Sequence, residues 1–333
     1  MNAREVKDKA ISLGADMVGI GDMSLFEGTP LENDPRQIAP AAKSIITLGF
    51  RMLRGSFRGV ESGTQFYQLP AMGVANIDIR YAPHVLRRLS CFIEDNGFEG
   101  CVLAPELDRL PKNSKETNPE MQTMAAITAK PVSPDKPAPD VLINHNQAAY
   151  ICGLGEMGLG GFFLTPEFGP MQRFAFILTD AELECDTPYS NERLCDDCGL
   201  CVKACPGNAI SAETQTTKNW AGKSIKHQEV DTHQCSAYLS GADIKTNPFI
   251  PDDIIKEHPE LKELLNPKHR LTPSETAKVK ELTLSYYGGV GGGYGPSMCG
   301  MACKRECMIH LQEKGVLTKR FVNPFRTEPA WYK

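Results

Sequence analysis

The chain has 333 residues, enough for one large domain or two of ordinary size, and its 41% hydrophobic and 23% charged content suits a globular protein with a sizeable core. A formal net charge of −5 and the lack of a basic tail argue against a nucleic-acid partner. Apolar runs such as Ser44–Gly49 and Phe174–Leu178 are too short to span a bilayer, and the charged first residues do not resemble a signal peptide, so a cytoplasmic protein with no membrane partner is expected.

In chain order, Val6, Ala10 and Leu13 fall on one helical face, with Gly14 as a C-cap, and the short apolar stretch Asp16–Gly21 reads as a strand. Ser44–Phe50 is a second strand. Pro83 opens a clearer helix, with Val85, Leu89, Phe92 and Ile93 in a stripe, which Gly97 ends. Gly100–Ala104 reads as the next strand. From Pro105 to Asp140 seven prolines make a long irregular stretch, the pattern of a binding loop or lid, with a disordered insertion as the competing reading. Gln147–Cys152 reads as a helix, and Phe162–Thr165 and Arg173–Thr179 as strands. Thr272-Pro273-Ser274-Glu275 is a capping box that starts a helix ending near Gly288, where a glycine run reaches Gly295. Helix–strand alternation followed by a cysteine-rich part predicts an α+β chain. It divides into an α/β domain over 1–184 with the proline-rich loop 105–140, a double-cluster domain over 185–315, and a tail over 316–333.

Twelve cysteines in a reducing compartment point to metal or redox chemistry. Cys195, Cys198, Cys201 and Cys205 form C-x2-C-x2-C-x3-C followed by Pro206, the run in which three thiolates hold one [4Fe–4S] cluster and the fourth serves another. Zinc sites more commonly pair C-x2-C elements. The second cluster needs further ligands, and Cys235 with Cys299, Cys303 and Cys307 at helical spacing can supply them. The expected sets are Cys195, Cys198, Cys201 and Cys307 for one cluster, and Cys205, Cys235, Cys299 and Cys303 for the other. Met308 stands where the second run would carry proline. Cys91 and Cys101 read as buried small hydrophobes.

Gly153, Gly155 and Gly158 spell the dinucleotide fingerprint G-x-G-x-x-G, but a helix precedes them and no long helix can follow, so that context is wrong. A glycine-dense loop can still bring its backbone close to a large flat ligand.

The order Cys152-Gly-Leu-Gly-Glu156-Met-Gly158, Leu164-Thr-Pro-Glu-Phe-Gly-Pro170, Ile177-Leu-Thr-Asp180 and then the cluster run resembles the cobalamin-dependent iron–sulfur reductase superfamily of reductive dehalogenases and epoxyqueuosine reductases. The wording is closer to the dehalogenase branch. That resemblance implies a nitroreductase-like N-terminal domain holding a base-off cobalamin, with Gly153, Leu154, Gly155, Glu156, Gly158, Thr165, Phe168 and Gly169 lining its pocket. It also implies a proton donor, for which Tyr81 and Asp140 are the candidates, with His145 and Tyr150 as further pocket residues. The activity implied is reductive cleavage of a small-molecule substrate, driven by an external donor such as a ferredoxin or flavodoxin. The lack of an export signal favours a catabolic or biosynthetic reductase over a respiratory one. Epoxyqueuosine reduction in tRNA, and an electron-transfer or corrinoid-reactivating subunit without its own substrate, are the alternatives.

Overall fold

The computed structural model describes residues 1–103, 131, 133–137, 141–190, 192–242, 247, 253–266, 268–284 and 297–325. Most of the proline-rich loop, Asp140 and the glycine run therefore lie outside the described residues.

Helix α1 (Ala3–Leu13) begins in a capping box between Asn2 and Glu5 and ends at Gly14 in the left-handed conformation. Strands β1 (Met17–Asp22), β2 (Ser44–Arg51), β3 (Gly100–Leu103) and β6 (Gln172–Thr179) form one sheet in the order β1-β2-β6-β3, and every pairing is antiparallel. Seven of the eight residues in β2 are buried, as expected of a central strand covered on both faces.

The register sorts the two faces. Gly19 sits opposite Thr47, and Thr47 opposite Phe176, so these three share a face. Helix α4 (His145–Ile151) and the residue after it lie there. A side chain at Gly19 would strike the carbonyl of Cys152, the Cys152 thiol is 3.0 Å from Thr47 Oγ1, and His145 packs on Phe176 with ring centres 5.0 Å apart. Phe50 and Arg173 occupy the other face. Against it run two π-helical segments, Leu69–Ala75 and Ile77–Tyr81, leading into α3 (Ala82–Asp95). Between β2 and these segments lies a short helix, α2 (Arg58–Ser62). The buried Asp78 carboxylate takes both arms of the Arg173 guanidinium, at 2.9 and 2.6 Å, and ties the segment to β6.

Strands β4 (Glu156–Met157) and β5 (Phe163–Leu164) make a small hairpin after α4. Beyond β6 come α5 (Leu200–Lys203), then a second hairpin of β7 (Ile210–Trp220) and β8 (Lys223–Val230), which composition alone did not flag. Helices α6 (Thr232–Leu239), α7 (Ile254–Glu257), α8 (Leu261–Leu264) and α9 (Pro273–Leu284) follow, and α10 (Ala302–Lys314) packs against α5. The α+β class expected from the sequence is the one observed.

One apolar core runs from Val6 through Leu194, Trp220 and Leu311 to Phe325, so the cysteine-bearing segments pack on the same core as the sheet. A satellite core around Tyr238, Leu261 and Val279 holds α6 to α8 and α9. Residues 316–325 return to the sheet domain. Arg54 donates to the carbonyls of Asn323 and Pro324, lies over the Phe325 ring, and pairs with buried Glu61 at 2.8 Å. Among the described residues no helix is long and apolar enough to cross a membrane.

Gly155 has φ +158°, and a β-carbon there would collide with the carbonyl of Leu164. Gly155→Ala should therefore lower stability by about 1–3 kcal/mol through backbone strain, read as a drop in thermal midpoint. An unchanged midpoint would mean that the β4–β5 hairpin yields without cost.

Candidate functional site

The cysteine run folds as a loop that turns back on itself. Asp197, between Cys195 and Cys198, has φ +60°, and Gly199 follows at φ +71°. The second cysteine-bearing loop repeats the device, with Gly300 at +57° and Met301 at +52° between Cys299 and Cys303. Left-handed backbone at a non-glycine residue costs energy and persists only where surroundings impose it. Here it lets closely spaced thiols face inward rather than alternate.

Cys195, Cys198, Cys201 and Cys307 line a single small cavity with Gly158, Leu159, Gly160 and Phe162. The run therefore meets a cysteine more than a hundred residues later, delivered by α10. The Cys299 thiol lies within electrostatic reach of Cys235, Cys303 and Cys205. Cys307 thus joins the run at one cavity, while the Cys201 and Cys307 thiols are also within electrostatic reach of Cys303. Backbone amides support both groups: Leu159 N–H donates to Cys195 Sγ at 3.3 Å, and Ala209 N–H to Cys205 Sγ at 3.2 Å.

The protonation chemistry of these donors matches a cationic occupant. Burial first, then Cys195, pushes the Cys201 thiol up to about 11; burial, then Cys235 and Cys303, pushes Cys299 up to about 12. Burial followed by Cys195 raises Cys307 as well. Burial and neighbouring thiols both work against ionisation here, and a bound metal would supply the compensating charge, since a metal-bound thiol is deprotonated outright. The donor set fits two [4Fe–4S] clusters.

The glycine segment belongs to this site more than to a dinucleotide. A helix precedes it and short strands follow it. Gly153 and Gly155 are demanded by protein packing, since β-carbons there would press on the carbonyls of Thr187 and Leu164. At Gly160 a β-carbon would strike the Phe162 ring at 2.5 Å and stand 3.0 Å from Cys201 Sγ, so the glycine leaves room for both the ring and the thiol. Glu156 reaches from the same segment to the cysteine run, accepting from Leu194 N–H at 2.8 Å and Cys195 N–H at 2.9 Å. Desolvation raises its pKa, and the two amide bonds oppose that rise.

Thr165, Phe168 and Gly169 are buried in a turn closed by paired Thr165–Gly169 backbone bonds, and a β-carbon on Gly169 would touch Met308 and Leu311 of α10. This turn seats the helix that carries Cys303 and Cys307. Of the residues expected to line a corrinoid pocket, Glu156 faces open space. It borders a cleft with Tyr150, Met157, Leu159, Tyr189, Arg193 and Asp197, closed on one side by Gln215, Ser224, Ile225 and Lys226 of the β7–β8 hairpin. Leu159 lines both this cleft and the first cysteine cavity. Tyr81 is not brought to the glycine segment. It lies on the Phe50 face of the sheet, edge-on to that ring at 5.6 Å, and its hydroxyl donates to Gly14 O at 3.0 Å. Asp140 lies outside the described residues.

Reading the sequence alone overlooked three features. Asp196 Oδ2 is held by His310 Nε2 and Lys314 Nζ, each at 2.9 Å, and these partners, His310 first, keep its carboxyl well below the usual range. The ligand atoms of Asp196, Cys198 and His310 fall within 4.8 Å of one another at the edge of the first cavity. The hairpin's contribution to the cleft and the placement of Lys304, whose Nζ stands 5.8 Å from the centre of the Phe162 ring, were also missed. For Lys304 a signal existed, since it is flanked by Cys303 and Cys307.

The 4Fe-4S binding domain family matches residues 188–211. A tetrachloroethene reductive dehalogenase of Desulfitobacterium hafniense is 44% identical over 63 residues, covering 18% of this chain and 11% of the relative. An epoxyqueuosine reductase of Cyclobacterium marinum is 24% identical over 271 residues, covering 74% of this chain and 71% of the relative. A solved catabolic reductive dehalogenase aligns with TM-score 0.49 and 16% identity over 98% of this chain and 42% of that one. The chain thus spans about a tenth of the length of the first dehalogenases it matches. It is related to both groups of reductases, and the resemblance read from its motifs holds.

Removing one cysteine from each set should separate the two centres. Cys307→Ser and Cys303→Ser should each fall from about eight irons per chain toward about four, by iron and sulfide analysis after anaerobic purification. Full iron in either variant would remove that cysteine from the ligand set.

Proposed function

We propose that this chain is a cytoplasmic iron–sulfur reductase holding two [4Fe–4S] clusters, through Cys195, Cys198, Cys201 and Cys307 and through Cys205, Cys235, Cys299 and Cys303, beside a base-off corrinoid site. The observation that carries this reading is that Leu159 lines both the first cysteine cavity and the cleft above it. A group seated in the cleft would be one side chain away from a redox centre. The cleft suits a large amphipathic cofactor, since its lining mixes apolar Met157, Leu159 and Ile225 with polar residues such as Glu156, Arg193 and Lys226. A corrinoid held there would supply low-valent cobalt for reductive cleavage of an electrophilic small molecule.

The protein's own residues would do the rest. Glu156 fixes the position of the first cysteine loop through its two amide bonds. The hairpin closes one wall and limits water. Tyr150 and Tyr189 bring phenol groups to the cleft, although the Tyr189 hydroxyl is engaged with Glu192 O at 3.1 Å. Electrons would come from a ferredoxin or flavodoxin.

Dehalogenase-like cleavage is favoured by the 44% identity to a tetrachloroethene reductive dehalogenase over 63 residues. Epoxyqueuosine reduction is a second reading with its own support, because the alignment to those reductases extends over most of this chain.

Anaerobic expression with a cobalamin supply, followed by iron, sulfide and cobalt analysis, tests the proposal. About eight irons with near-stoichiometric cobalt is the expected result, and halide release from halogenated phenols against conversion of epoxyqueuosine-bearing tRNA then separates the two substrates. Eight irons without cobalt, even after reconstitution, would overturn the corrinoid reading and leave an electron-transfer subunit.

A further inference from the structure

From Leu69 to Asp95 the chain runs as one helical column, the two π-helical segments leading into α3, and its exposed side is cationic. Met72, Arg80, Tyr81, His84, Arg87 and Arg88 are all exposed, and from Arg80 onward they recur at the three- and four-residue spacing that shares one helix face. Between Ser62 and Ile93 the sequence holds a single acidic residue, Asp78, whose carboxylate is buried against Arg173. No carboxylate pairs with Arg80, Arg87 or Arg88 among the described residues. Lys9 of α1, 5.6 Å over the Phe92 ring, adds a cation at the flank. In a chain of net charge −5 this face carries a local field opposite in sign to the whole. The column also starts beside the second cysteine loop. Three residues before it, Phe66 O accepts from Ser297 N–H at 2.9 Å, and a β-carbon on Gly300 would stand 2.9 Å from Val60 of α2. The loop holding Cys299 therefore packs on the segment that leads into the cationic face.

We propose that this face, from Met72 to Arg88, is the docking surface for the electron donor, a small acidic redox protein of the flavodoxin or ferredoxin kind. The inference rests on the two-cluster reading and adds to it where the donor binds. An acidic donor is repelled by the net charge of this protein and attracted at the arginines, so charge decides where it lands and how fast. The face spans on the order of 20 Å along the helix axis, a length that a small partner covers. Exposed Met72 and Tyr81, at 45% and 47%, lie among the arginines, and these three residue types are the ones enriched where proteins meet proteins. A nucleic acid fits less well, because exposed Glu94 and Asp95 close the column at its far end and would repel a continuing phosphate backbone. In the docked complex one electron passes from the donor's reduced centre to a cluster, and no bond forms or breaks.

The test is anaerobic stopped-flow reduction of the iron-loaded protein by reduced flavodoxin across a range of salt, with a small deazaflavin photoreductant as the control. The wild type is compared with the double variants Arg87→Glu/Arg88→Glu and Arg87→Lys/Arg88→Lys. The wild-type rate constant should fall as salt rises, and charge reversal should lower it at least about tenfold at low salt. The lysine variant should stay near the wild type, and all three should be reduced alike by the photoreductant. Equal flavodoxin rates in the wild type and the charge-reversed protein would overturn the proposal. So would a loss that the photoreductant or the lysine variant shares, since that would reflect damage to the clusters or to packing. A gel-shift arm with tRNA completes the test: tRNA binding that charge reversal abolishes, with flavodoxin rates unchanged, would assign the face to RNA and overturn the proposal. A wild type with well under eight irons, or one that the photoreductant cannot reduce, would instead overturn the two-cluster reading, and the iron count separates that failure from the others.

Discussion

Bringing four thiols into one small, poorly hydrated space, twice in the same chain, is the constraint on which the surrounding structure depends. Thiols in such a setting resist ionisation, because burial and neighbouring thiols push Cys201 and Cys299 up. Only a cationic occupant reverses it, so metal loading and the compact state of this region should support one another. The neighbouring architecture reads as a response. Two loops accept left-handed residues, backbone amides point at Cys195 and Cys205, and α10 is held against the core so that its cysteines cannot drift.

That last requirement explains residues whose first reading was ligand binding. The Thr165–Gly169 turn is closed on itself and buried under α10, where Gly169 leaves room for Met308 and Leu311. Glu156 spends its carboxylate on two amides of the cysteine run. A motif that resembles a pocket lining therefore also serves as the brace between the sheet domain and the clusters. The two roles are compatible, because Glu156 still borders the cleft that Leu159 links to the first cysteine cavity.

Charge is arranged with the same economy. Asp78 and Arg173 satisfy one another on the face of the sheet away from the glycine segment, and Asp196 is held between His310 and Lys314 at the edge of the first cavity.

Local chemistry was enough for much of this to be legible without coordinates. The 3.6-residue stripe of the Pro83 helix, the apolar runs of β2 and β6, the Gly14 cap and the spacing of the cysteine run are properties of neighbouring residues, and they predicted these elements and the 4Fe-4S binding character of the run. Local context also argued against the dinucleotide reading of Gly153, Gly155 and Gly158, because the elements on either side were wrong. What required the tertiary structure was everything decided by contacts across long separations. The sheet order places Tyr81 on one face and the glycine segment on the other, which no local pattern encodes. The β7–β8 hairpin became a wall of the cleft only through its packing, since its polar, threonine-rich strands lack a strong apolar alternation. The meeting of Cys307 with the cysteine run depends on where α10 docks, and docking is fixed by the summed burial of a core that extends from Val6 to Phe325.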